Sequence, residues 1–128
     1  LALSLVRLLW RLSHRPPALP AAVEQAMPDW QKWVHHGTHI ALYALFFAVP
    51  LAGWAYSSAA GFPVAFLGLV PLPDFVPVSE SLADALKLVH ATLAFTLAGL
   101  VLVHIAAALK HQWIDNDGLL RRMLPGRR

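Results

Sequence analysis

The sequence predicts an all-α membrane protein, an antiparallel bundle of transmembrane helices. Three observations predict it. The chain is 58% hydrophobic against 13% charged, its mean hydropathy is +0.57, and two of its apolar stretches have the length of a membrane span. A soluble domain of 128 residues needs far more polar surface, so the bilayer is the expected solvent.

The first apolar segment is Leu1–Leu12, interrupted by Arg7 and Arg11. It has neither the charged start nor the small-residue cleavage site of a secretion signal. Twelve residues rise about 18 Å as a helix, short of the ~30 Å hydrocarbon core. We therefore expect residues 1–13 to be the end of a helix that begins upstream of Leu1. Prolines 16 and 17 stop it. Arg15 to Val34 reads as a polar, proline-rich connection, with Trp30 and Trp33 as interfacial anchors.

The next helix is expected over 36–60, with no charge from Val34 to Ala60. Pro50 is expected to kink it, and a neighbouring helix to satisfy the carbonyl that proline leaves without a donor. Residues 61–81 are apolar but broken by Pro63, Pro71, Pro73 and Pro77, and read as a loop lying in the membrane interface. The last helix is expected over 82–110; Leu88–Leu109 is 22 residues without a charge. Residues 111–128 read as a tail. Charge sets the orientation. Arg7, Arg11, Arg15 and Lys32 flank the first connection, and Lys110, Arg121, Arg122, Arg127 and Arg128 follow the last span. The 61–81 loop has no Lys or Arg and carries Asp74 and Glu80, and Lys87 is the one positive charge near that side. The loop is thus expected outside, and the first connection and C-terminus in the cytoplasm.

Composition excludes several kinds of chemistry. With no cysteine there are no disulfides, thiolate sites, iron–sulfur clusters or c-type haem attachments. The net charge of +3 does not indicate nucleic acid, because the basic residues flank apolar runs and form no single patch.

Ionisable residues inside a span are costly and mark function. The last span holds two, His90 and His104, 14 residues apart. On a helix they fall within about 40° of one face and about 21 Å apart along the axis, one near each boundary of a ~30 Å core. Two neutral imidazoles so placed match two stacked haem irons, each taking one axial nitrogen. The alternative is a pair of polar residues hydrogen-bonding across the bundle. Ala91, Ala94, Ala98, Gly99 and Ala106–Ala108 leave room for a flat macrocycle, or equally for close helix packing. His35, His36 and His39 cluster at the start of the preceding span, at spacings that place metal ligands on one helical face. They lack an accompanying carboxylate, so His36 and His39 read instead as interfacial groups or as contacts to a haem propionate or a quinone. Arg7 either snorkels to the interface or pairs with a propionate through its guanidinium fork. His14 and His111 read as solvated or as propionate contacts.

The stretches VRLLWRL, RPPALP, HGTHIALYALFFAVPLAGW, LVHATLAFTLAGLVLVHIAAALKH and DGLLRRMLP resemble, in order and spacing, the bacterial diheme cytochrome b561 family, related to the membrane cytochrome subunits of nickel hydrogenases. The resemblance implies a four-helix bundle, of which about two and a half helices lie here, in the bacterial inner membrane with both termini cytoplasmic. It implies two b haems, each held by two histidines, the fourth helix giving one ligand to each. Those ligands match His90 and His104, and the opposite pair falls upstream of Leu1. The implied function is haem b-dependent electron transfer in a respiratory chain, between a quinone such as ubiquinone and a small donor or acceptor such as superoxide. The implied partners are membrane lipid, quinone and a redox partner protein. Two other readings stand beside it. One is a cytochrome b anchor subunit of a membrane dehydrogenase or hydrogenase. The other is a non-haem transporter using His90 and His104 as a proton relay, which would need acidic partners in the spans, where none occur.

The charge asymmetry predicts that a reporter active only in the periplasm works when fused within 61–81 and fails when fused after Arg128. The reverse pattern would invert the topology.

Overall fold

The structure, a computed structural model, describes residues 1–14, 25 and 27–115. More than half of the expected first connection and most of the expected tail, from 116 on, lie outside the described residues. The elements are helix α1 (Ala2–Ser13), helix α2 (Asp29–Ala59), short strands β1 (Ala65–Phe66) and β2 (Val70–Pro71), and helix α3 (Glu80–Trp113). Two of these helices, α2 and α3, are long and apolar enough to cross a membrane.

Both long helices outrun the apolar stretches that announce them. Helix α2 begins at Asp29, not near His36, and α3 runs from Glu80 to Trp113 instead of 82–110. Apolar runs report immersion in hydrocarbon, whereas helix ends are set by capping. Pro28 has extended backbone and precedes Asp29, whose carboxylate sits in the positive first turn and pairs with Lys32 at 3.1 Å. At 31 and 34 residues, the helices are about 46 and 51 Å long. Their polar ends therefore project well past a ~30 Å core.

The other ends are capped by recognisable chemistry. Helix α2 stops in a Schellman motif at Gly61, whose φ of +74° is a conformation that side chains disfavour. Gly61 N–H donates to the Ser58 carbonyl at 3.1 Å and Phe62 N–H to that of Ser57 at 2.9 Å. Ser79 caps α3, its hydroxyl accepting from Leu82 N–H at 3.4 Å. The Ser79 N–H donates to the Ala59 carbonyl at 2.9 Å, tying the two helix ends together. The intervening loop adds one feature absent from the sequence reading, a small antiparallel hairpin pairing Ala65 with Pro71 and Phe66 with Val70. Its tip residues Phe66, Leu67, Leu69 and Val70 are exposed.

Helices α2 and α3 pack antiparallel. Moving away from the Ala59–Ser79 contact, Val49 meets His90, His39 meets His104 and Gln31 meets His111. Along α3, Ala83, Leu86, His90, Leu93, Leu97, Leu100, His104, Ala108 and His111 are all buried or half-buried. They follow one another at three- or four-residue steps, the seam of a helix packed on one neighbour. The opposite faces carry exposed apolar side chains, with Phe95 at 80%. In water such a face would be a liability, but lipid or further helices cover it without cost.

Helix α1 lies against α2 near Pro50, which stays inside an unbroken helix. Proline has no N–H to give the Phe46 carbonyl one turn earlier. The Ser4 hydroxyl of α1 donates to that carbonyl at 3.3 Å, the neighbouring-helix compensation expected of a proline in a span. The Ser4→Ala change should therefore cost about 0.6 kcal/mol, a typical intramembrane side-chain hydrogen bond. It should cost less in a Pro50→Ala background, where the backbone regains an N–H that shares the same carbonyl. Thermal unfolding in detergent measures both, and equal losses in the two backgrounds would refute the link.

Candidate functional site

Helix α3 places His90 and His104 on the same α2-facing seam, two heptads apart, each half-buried. Their surroundings differ. The Nδ1 of His90 lies 3.0 Å from the Val49 carbonyl oxygen of α2. A carbonyl only accepts, so Nδ1 carries the proton and donates. In the neutral imidazole this is the tautomer that leaves the Nε2 lone pair uncommitted. His104 makes no hydrogen bond among the described residues. Its ring meets that of His39 edge-on, with centroids 5.2 Å apart. His39 in turn donates from Nδ1 to the His35 carbonyl at 2.8 Å, with the His35 ring 4.5 Å away.

The structure thus brings His39 and His35 to His104, while His36 is exposed and makes no hydrogen bond among the described residues. Arg7 lines an open cleft of about 440 Å³ between α1 and α2, with Trp10, Tyr43 and Phe46. It forms no ion pair among the described residues. Beyond it, the His14 ring stacks on Trp10 at 3.8 Å.

His111 lies at the polar end of the helix pair, not free of it. Its Nε2 is 3.4 Å from Gln31 Nε2 and its Nδ1 is 3.0 Å from Asp115 Oδ2. Asp115 also accepts from Lys110 at 2.7 Å, and that hydrogen bond holds its carboxyl below the usual carboxylate range. At the loop end, a cleft of about 300 Å³ opens between the start of α1, the Pro50–Trp54 turn and the hairpin.

Three groups beside the histidines escape a reading by residue type. The Val49 carbonyl is backbone chemistry and has no sequence signature. Gly53 is a glycine inside a span, a signal of close packing that does not say what packs there. Ser4 is legible only through its partner, the carbonyl vacated by Pro50.

The donor set discriminates between ligands. Among the described residues no three His, Cys, Asp or Glu side chains converge where a metal ion could sit. A bare ion needs three or four such groups. A planar macrocycle brings its own equatorial nitrogens and asks the protein for one axial nitrogen per face, which is what an isolated, oriented imidazole offers. The residues present fit that kind of group.

Two long apolar helices packed antiparallel, with a histidine pair on their shared seam, are the architecture of a membrane helix protein. The family profile described as prokaryotic cytochrome b561 matches residues 1–126, and the chain belongs to that family. It is 33% identical over 120 residues to cytochrome b561 homolog 2 of Escherichia coli K12, covering 93% of this chain and 61% of that protein. It is 39% identical over 101 residues to cytochrome b561 homolog 1 of the same organism, covering 79% and 57%. It is 32% identical over 128 residues to a probable superoxide oxidase, CybB, of Yersinia pestis, covering the whole chain and 70% of that protein. The chain therefore spans roughly three-fifths of the length of its two Escherichia coli relatives. Membership makes the apolar helices membrane helices and haem b the cofactor of the class.

Proposed function

We propose that this chain forms the greater part of a membrane electron carrier in which His90 and His104 each give one axial nitrogen to a separate haem b. The observation that carries the proposal is their shared seam on a single helix, with the second nitrogen of His90 already committed to Val49. Bound haem b supplies reversible one-electron chemistry. The chain supplies orientation and burial. The Val49 carbonyl selects the His90 tautomer, as an outer partner does for a metal-bound imidazole, and α3 holds the two rings about 21 Å apart along its axis.

In this reading the protein sits in the bacterial inner membrane with 61–81 periplasmic and the C-terminus cytoplasmic. His90 then serves the outer haem and His104 the inner one. His39, against His104, and His36 and Arg7, toward the same side, contact propionates or a quinone. Ubiquinone is the proposed partner in the membrane, and superoxide the proposed small donor. The name of the Yersinia pestis relative supports the latter choice. Family membership favours this reading over a non-haem proton relay.

Haem counted per protein in purified variants of the complete protein tests the assignment. His90→Ala should lower the count from two to one, and His104→Ala should remove the other. His36→Ala, His39→Ala and His111→Ala should leave it near two. Retention of both haems by His90→Ala and His104→Ala would refute the ligand assignment.

A further inference from the structure

We propose that Gly53 is a positioning residue for the His90 imidazole. Lacking a side chain, it lets the ring lie against α2 and lets the Val49 carbonyl fix both the ring's tautomer and its plane. The redox consequence rests on His90 being an axial ligand, as proposed above; the steric coupling does not.

A Cβ at Gly53 would stand 3.0 Å from His90 Cε1, 3.1 Å from Nδ1 and 3.7 Å from Nε2. The first two separations are tighter than nine in ten packed Cβ contacts, so a neighbour must give by a few tenths of an ångström. The Cβ is fixed to the α2 backbone, which leaves the ring to give way. The ring is tethered to α3 and bonded to Val49 at 3.0 Å, so moving it lengthens and bends that bond. Helix geometry explains why this position is the sensitive one. Each Cα–Cβ bond tilts toward the helix N-terminus, so a side chain at 53 overhangs the carbonyl one turn earlier, that of residue 49. By contrast, a Cβ at Gly37 of α2 or Gly99 of α3 meets nothing within 4 Å.

The contact has an electronic consequence. An imidazole that donates its remote N–H to a carbonyl becomes a more basic ligand through its other nitrogen. A more basic ligand favours the ferric over the ferrous state. Gly53→Ala should therefore move the midpoint potential of the His90-dependent haem positive. It should also change the low-spin ferric electron paramagnetic resonance signal of that haem, which reports ring plane, and leave the second haem unchanged.

The test is a double-mutant cycle in the complete protein: wild type, Gly53→Ala, His90→Ala and the double variant. Potentiometric titration and the resonance signal are read where haem is retained. The yield of folded, monodisperse protein and its thermal stability are read in all four. Gly53→Ala should lower stability when His90 is present. It should be neutral or stabilising when His90 is absent, because alanine is the better helix former. If Gly53→Ala alone fails to accumulate, the double variant should still accumulate like His90→Ala, which supports the proposal. A folded Gly53→Ala protein with unchanged potential and resonance signal overturns it, as does an equal loss of stability with and without His90. Retention of both haems by His90→Ala would instead sink the ligand assignment, an outcome separate from the coupling between the two residues.

Discussion

A polar group inside a bilayer has no water to turn to, and this constraint organises the structure. Helices satisfy their own backbone, so the informative places are those where self-satisfaction fails or a side chain asks for more. Two such places on α2 lie about one turn apart, beside Pro50. Pro50 withholds its N–H from the Phe46 carbonyl, and Ser4 of α1 fills the gap. Val49 offers its carbonyl to His90 of α3. A carbonyl has two lone pairs, so it can accept from a side chain in addition to a backbone donor. Both neighbours of α2 are thus hydrogen-bonded to its backbone beside the same proline, and the histidine's orientation follows from that bond.

Small residues are the other half of the arrangement. Glycine in a helix interior costs about 1 kcal/mol relative to alanine. A largely apolar span rich in Ala, Leu and Phe gains nothing from it locally. At Gly53 the gain is space for an imidazole. The same logic explains how little of this chain is buried: among the described residues only Met27, Leu42, Ala55, Ala59, Ala83 and Ser58 are. Lipid is as apolar as a leucine side chain, so outward faces need no cover. Specific backbone approaches hold the helices in register instead of a large hydrophobic core.

The sequence makes the two apolar helices plain, because immersion in hydrocarbon demands some twenty apolar residues and little else produces that pattern. It also makes His90 and His104 plain, because ionisable groups in a span are rare enough to stand out one by one. Helix ends are less legible. Asp29–Val34 is polar and reads as a connection, yet Pro28 and the Asp29 carboxylate start a helix there. The hairpin at 65–71 is hidden by prolines that argue against any strand, although a two-residue edge strand tolerates one at its end. Least legible are the partners of the histidines. Val49 contributes through its backbone, and the meeting of His39 with His104 depends on the register of two antiparallel helices, which residue types alone do not set.

We propose that the imidazoles of His90 and His104 hold haem iron. A reduced-minus-oxidised visible spectrum of membranes containing the complete protein tests it most directly, against membranes carrying the His90→Ala/His104→Ala variant. The native protein should give a sharp b-type band that is lost in the double variant while the polypeptide is still present. The same band at undiminished intensity in the double variant, or no pigment with the native protein, would contradict it.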